Sequence, residues 1–376
     1  MKVTNFLFLS MVLTLLPAPH LNSSENPVFE SARRCSNCHE KIYKAWNEGP
    51  HAHSWDNLVY HAARAGFIKA SAGEGIQYCD RCHAPLASLI GDVHFMNPVT
   101  SEGVTCDVCH TMSSPGDSMS AGLQPTGGEV KTGPTGDCPS DLHGCREDPA
   151  LATPEFCAVC HQFSTQSGVA IYTEYSEWKN SRYHEEGVSC VDCHTSEGTH
   201  GLIPLEGSSG MLQRALKVYI SIRQSSETVL FVKVKNIGAG HAVPGGPPIR
   251  SILIDVRGYD ERDREVYSDT TTVLSRVVEG PVSLETGLTL PWLGWAEVKD
   301  DRLYPGQSRD FAFETGRDDV VRAEVKVLYI RFTMTVEEDF FGDDDPPVMA
   351  SAEVRLESKD NKQAGSPDDG PSPGPN

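Results

Sequence analysis

Glu102-Gly-Val-Thr-Cys106-Asp-Val-Cys109-His110 returns almost letter for letter at Glu186-Gly-Val-Ser-Cys190-Val-Asp-Cys193-His194. Both copies end in Cys-x-x-Cys-His, and that pentapeptide recurs at Cys35-Ser-Asn-Cys38-His39, Cys79-Asp-Arg-Cys82-His83 and Cys157-Ala-Val-Cys160-His161. Two thiols three residues apart can each form a thioether to one of the two vinyl groups of a porphyrin. The histidine that follows then lies under the iron as its proximal ligand.

Zinc is the competing reading, because Cys-x-x-Cys knuckles also build structural zinc sites. Histidine is 14 of 376 residues, so its appearance directly after all five knuckles is not chance. The spacing therefore implies five covalently bound haem c groups, numbered here as sites 1 to 5 in chain order, and accounts for ten of the twelve cysteines. The remaining two, Cys138 and Cys145, sit in a Gly-, Pro- and Asp-rich stretch and read as a small disulfide, which belongs with an oxidising compartment.

Residues 1–22 read as a signal peptide: Lys2 precedes the apolar run from Phe6 to Leu16, too short to span a bilayer. The expected location is periplasmic or extracellular, with no membrane span in the mature chain. A net charge of −20 disfavours nucleic acid and anionic membranes as partners. It favours redox partner proteins with basic docking patches, or neighbouring cytochrome subunits.

From 23 to 207 the chain consists of short helical pieces and polar loops with too little aliphatic periodicity for a core of its own. Porphyrins would supply the apolar mass. The stretch Ser113 to Pro149 reads as a surface insertion between sites 3 and 4. After Gly207-Ser-Ser-Gly210 the pattern alternates with period two, in Lys217–Ile222, Thr228–Val234, Ser251–Val256, Arg309–Phe313, Glu324–Phe332 and Ala350–Leu356. The expected fold is thus multidomain: a haem-packed, mainly α and irregular cytochrome domain (23–207), then an all-β immunoglobulin-like sandwich (211–357). Residues 358–376 read as a disordered tail.

Function turns on what fills the sixth position of each iron. A second histidine saturates it for electron transfer, whereas an open position admits substrate. Outside residues 1–22 and the five motifs, eight histidines are left for five places. His241, framed by glycines in Asn236-Ile-Gly-Ala-Gly-His-Ala-Val-Pro244, is the foremost of them. One of His51 and His53 follows, then His200 and His184, with His61 and His94 even choices. His143, between Cys138 and Cys145, ranks last. Met96, Met112 and Met119 remain alternatives at one iron.

The motif Glu-Gly-Val-Thr-Cys-Asp-Val-Cys-His, with Cys82-His-Ala-Pro-Leu86, Trp46 leading to His51-Ala52, Glu177-Trp178-Lys-Asn-Ser-Arg-Tyr183 and the Gly-Ala-Gly-His241 loop, resembles multihaem c-type cytochromes of the cytochrome c554-like family. The resemblance covers roughly residues 30 to 260. It implies closely packed covalent haems, with distal roles for His51 and His241. His184 and the Cys138 to Cys145 insertion depart from the family pattern. The leading expectation is an exported pentahaem electron carrier, an electron relay without substrate chemistry. The alternative is a multihaem oxidoreductase with one open haem acting on a small nitrogen or sulfur compound.

Overall fold

The computed structural model describes residues 28–113, 124–125, 127–136, 142–195, 210–283, 289–332 and 345–356. The stretches expected as a signal peptide and a tail, with Met119, Cys138 and His200, lie outside the described residues.

Up to Thr195 the helices are short, and the longest of them is Leu58–Ser71. Each haem motif ends in a helical turn: Gln77–His83, Cys106–His110, Pro154–His161 and Cys190–His194 are helical throughout the motif. At site 1 the helix Ala32–Cys35 is continued by a single turn, in which His39 N–H donates to the carbonyl of Cys35 at 2.9 Å. An α-helical turn places residues i, i+3 and i+4 on one face, so both thiols and the imidazole of each motif point the same way. Apolar packing here is local, as in the cluster of Leu86, Val99, Val108 and Met112. This matches the expectation of a region without a large core of its own.

The insertion is organised by a parallel pairing of Val130–Gly133 with Gly144–Glu147. Its second strand begins directly after His143.

From Leu216 the chain is β. Strands β1 (Leu216–Gln224), β2 (Thr228–Asn236) and β6 (Ser308–Glu314) form a three-stranded antiparallel sheet ordered β6-β2-β1. Strands β3 (Ser251–Tyr259), β4 (Glu265–Glu279), β5 (Ala296–Asp300), β7 (Arg322–Ile330) and β8 (Val348–Arg355) form a five-stranded sheet ordered β5-β4-β3-β7-β8. Alternate residues from both sheets meet in one core: Val218, Leu230 and Val232 from the first, Ile252, Ile254 and Val325 from the second. All six expected strands are present, lengthened or shifted by a few residues at most. The sequence reading missed β4 and β5, because β4 contains the all-polar run Ser268–Thr272, β5 is only five residues long with Val298 exposed, and the alternation of β4 is broken by a bulge between Val277 and Val278.

The β-region is fastened to the segment 163–183. Val169 and Ile171 pack with Val278 of β4, and Arg276 donates to the carbonyls of Ala170 and Ile171. Buried Arg302 pairs with buried Glu177 at 2.8 Å.

Candidate functional site

The repeated phrase is a repeated device. In both copies the glycine takes a left-handed conformation, Gly103 at φ +68° and Gly187 at φ +75°. In both the following valine carbonyl accepts an indole N–H, from Trp46 to Val104 and from Trp178 to Val188, each at 2.8 Å. A glycine turn and a tryptophan anchor thus aim each haem helix. The sequence carried that signal in its two tryptophans, but only folding discloses which carbonyls they reach.

Site 3 also organises its neighbours. Glu102 accepts from the Ser31 hydroxyl and from Ala32 N–H at 2.9 Å, so it caps the helix of site 1. The N–H of Val104 reaches the His51 carbonyl (2.9 Å) and the Ser54 hydroxyl (3.1 Å). That hydroxyl donates to the His83 carbonyl, and His83 Nδ1 donates to the Ser54 carbonyl at 3.0 Å. The stretch His51 to Ser54 is therefore clamped between sites 2 and 3.

Gly103 sits so close that a Cβ built on it would lie 2.5 Å from the His51 carbonyl oxygen, whereas nothing lies within 4 Å of one on Gly187. We expect Gly103→Ala to destabilise the fold by about 2–4 kcal/mol, from left-handed strain plus overpacking, and to displace His51. Gly187→Ala should lose only about 1 kcal/mol. Denaturant unfolding of both variants checks the contrast; equal losses would refute it.

Three motif histidines face a second imidazole. The ring centroids of His39 and His143 are 6.4 Å apart, those of His51 and His161 6.5 Å, and those of His194 and His241 6.2 Å, with the last pair nearly parallel at 19°. Two metal–nitrogen bonds of about 2 Å, plus the span from ring nitrogen to ring centre on each side, require on the order of 6 Å between two imidazoles that share one metal ion. Each pair leaves room for an iron between its rings, and the residues present fit the haem.

Hydrogen bonds at Nδ1 agree. His83, His110, His143 and His241 each set Nδ1 against a backbone carbonyl, of Ser54, Thr132 (2.7 Å), Gly144 (3.2 Å) and Ala242 (2.9 Å) respectively. A carbonyl only accepts, so Nδ1 carries the proton and Nε2 keeps the lone pair that binds metal. Burial, with His161 and His83 nearby, pushes His51 down to about 3. Burial likewise lowers His83 and His161, and takes His194 to about 4. All four are neutral at neutral pH, the form a metal needs.

The ten motif cysteines are free thiols, and neighbouring motifs meet through them. Cys35 lies within interaction range of Cys106, Cys82 of Cys160, and Cys157 of Cys190. Cys109 lies within electrostatic reach of both Cys157 and Cys160. These contacts connect sites 1 to 3, 3 to 4, 4 to 5 and 2 to 4.

Of the other histidines, His53 is engaged at both nitrogens, by Asp56 (3.1 Å) and the Asn47 carbonyl (2.9 Å), so of the pair His51 and His53 it is His51 that faces a motif histidine. His61 and His184, both expected as ligands, are not brought to one. His61 stands edge-on to Trp55 at 4.8 Å, and His184 is exposed and edge-on to Trp178 at 4.7 Å. His94 and Met96 are exposed, and Met112 is buried in the local core. His143, ranked last, is placed opposite His39 by the parallel strand pair. No local pattern announces a parallel pairing across an insertion, which is why the sequence reading passed it over. The ring stacked on His83 is that of Tyr60, at 4.0 Å and 13°. Cys145 is disulfide-bonded.

The five motifs, the facing imidazoles and the comparisons with known proteins agree in supporting a multihaem c-type cytochrome. Residues 34–111 match the family model described as cytochrome c554 and c-prime. Among solved structures, the penta-heme cytochrome c552 from Thermochromatium tepidum is similar with a TM-score of 0.67 at 19% identity, covering 87% of this chain and 99% of that one. At that identity the likeness speaks for the fold. A putative beta-galactosidase from Bacteroides fragilis is similar over 38% of this chain and 17% of its own, at 12% identity and a TM-score of 0.20, which carries no argument. No curated protein matches. Among the described residues no helix is long and apolar enough to cross a membrane.

Proposed function

We propose that this protein is an exported pentahaem electron carrier, whose five covalently held haems relay electrons along sites 1, 3, 4 and 5, with site 2 joined at site 4. The single observation that carries the reading is the set of contacts between cysteines of different motifs, which puts the attachment points of successive haems side by side. Haem supplies a reversible one-electron couple. The chain's own residues would hold it by ten thioethers and the five motif imidazoles, of which His83 and His110 are oriented through an Nδ1 bond, with His143 at site 1, His51 at site 4 and His241 at site 5 as second imidazoles. The strand orders β6-β2-β1 and β5-β4-β3-β7-β8 support an immunoglobulin-type sandwich for residues 211–357. Because the ten motif cysteines are free, a Cys138–Cys145 bridge is the pairing we propose for Cys145.

A second reading is favoured by site 2, where among the described residues no second imidazole faces His83 at the spacing of the three facing pairs, and the ring packed directly on His83 is a phenol. There the sixth position would take a small exogenous ligand, as an oxidoreductase requires. Haem content and the reduced visible spectrum with and without carbon monoxide test both. The relay predicts five haems per chain and a Soret band that carbon monoxide leaves essentially unchanged. A change in one-fifth or two-fifths of the intensity moves the conclusion to the second reading, and a change beyond two-fifths overturns the facing-imidazole assignments, which cover three of the five sites.

A further inference from the structure

The aromatic neighbours of His83 do not end at Tyr60. Trp55 meets the Tyr60 ring edge-on at 5.8 Å, and Phe95 stacks on Trp55 at 3.6 Å and 22°. The Arg64 guanidinium lies 5.4 Å from the Trp55 ring centre and 5.7 Å from that of Phe95. It is fixed there by two bonds to the buried carboxylate of Asp80, at 2.9 and 3.0 Å, and the Tyr60 hydroxyl donates to the same carboxylate at 2.6 Å. Asp80 lies inside the site 2 motif itself, between Cys79 and Cys82. One ion-paired, hydrogen-bonded unit thus holds three aromatic rings in a packed path from the proximal ligand of site 2 outward.

At its outer end the path is built at some expense in backbone strain. Phe95 has φ +53°, a conformation that a bulky residue adopts only where its surroundings over-determine it. The surroundings are Asp92, whose carboxylate accepts from the N–H groups of Met96 and Asn97, both at 2.9 Å, and from the Thr100 hydroxyl. The loop so held presents Val93 at 59% exposure and Met96 at 82%, on either side of Phe95. Leu58, three residues beyond Trp55, is 66% exposed. Exposed aliphatic residues gathered around a rigid aromatic stack are a protein-contact feature rather than ordinary surface. Asp56 and Asp92 stand at its rim, on a chain whose net charge is −20.

We propose that this patch is the docking surface for a basic electron-transfer protein, and that electrons pass between that partner and the haem of site 2 beside Tyr60, Trp55 and Phe95. The inference rests on the electron-carrier reading. In the step, one electron leaves the one-electron centre of one protein and arrives at that of the other; no bond forms or breaks, and no aromatic ring is oxidised. An apolar centre with an acidic rim suits a partner whose own exposed haem edge is ringed by lysines, because opposite charges steer the encounter and the apolar contact excludes water from the path.

The test uses the haem-loaded full chain and, as probe, a lysine-rich monohaem cytochrome c. With both proteins oxidised, so that no electron moves, the double variant Leu58→Gln/Met96→Gln should bind the probe about tenfold more weakly than the wild type by titration calorimetry at low ionic strength. Val298→Gln, at an exposed position on β5, should bind as the wild type does. The second-order rate of electron exchange with the probe should fall in parallel, while reduction of hexacyanoferrate by the same variant stays unchanged. Equal binding by the double variant and the wild type, equal weakening by Val298→Gln, or a wild type that does not bind the probe would each overturn the docking proposal. A haem-loaded wild type that cannot reduce hexacyanoferrate would instead overturn the carrier reading beneath it.

Discussion

His241→Ala is expected to open site 5 and leave the fold intact. The His241 ring lies 6.2 Å from His194 and nearly parallel to it, and its loop is built to hold it there. The Asn236 side chain donates to the carbonyls of His241 and Leu303, both at 3.0 Å, and accepts from Ala239 N–H at 3.1 Å. Ala242 N–H is received by Glu177 at 2.9 Å. A Cβ on Gly240 would press against the indole of Trp178 at 3.3 Å, and one on Gly245 would meet the His241 ring at 2.9 Å. The hydrogen bonds among these act on backbone, so alanine at 241 keeps the loop and removes only the imidazole. On the proposed five-haem reading, one iron in five then loses its second ligand. The reduced variant should show a carbon-monoxide-sensitive fraction larger than that of the wild type by about one-fifth of the Soret intensity, and added imidazole should reverse the change. An unchanged low-spin content in the variant would sink the assignment of His241 to site 5.

What the sequence disclosed and what it withheld divide by range. The proximal half of every site lies within five residues, and an α-helical turn suffices to bring thiols and imidazole to one face, so the spacing alone identifies it. The facing half is not local: His51 meets His161 across 110 residues, and His39 meets His143 across 104. Composition could say only that enough histidines exist. His241 was legible because its glycines advertise a close backbone approach, which the structure places against Trp178. His53 and His51 look alike in sequence and are separated by one fact, that Asp56 and the Asn47 carbonyl have taken both nitrogens of His53. Among the strands, β2 was legible from alternation that matches its burial residue by residue. Strand β4 was not, since Ser268-Asp-Thr-Thr-Thr272 is polar throughout and shows no apolar-polar alternation.

Arg302→Met is expected to destabilise the protein by about 3–5 kcal/mol, the loss typical of stranding one half of a buried ion pair. The Arg302 side chain is 3% exposed and that of Glu177 6%. The guanidinium binds Glu177 at 2.8 Å and Asp300 at 2.9 and 2.8 Å. Burial works against ionisation of Asp300, yet Arg302 beside it holds its carboxyl below the usual range. Methionine would leave two carboxylates facing each other without a cation. Because Asp300 has a lowered folded value, its contribution is present above the ordinary carboxylate range and lost as pH falls through it; the wild type should therefore lose stability on acidification where Arg302→Met loses less. The double variant Arg302→Met/Glu177→Met should recover part of the single loss, since it strands one carboxylate rather than two. Glu177 also receives Ala242 N–H, so the single variant should loosen the loop that carries His241 and raise carbon monoxide access at site 5 without touching a ligand. Denaturant unfolding at two pH values, with haem spectra on the same samples, reads all three effects. A loss below about 1 kcal/mol would assign the pair the energetics of an exposed salt bridge, and the fastening of the β-region to the haem region would then rest on its other contacts, among them the Ile171 and Val278 packing, the Arg276 bonds and the Ala242 N–H to Glu177.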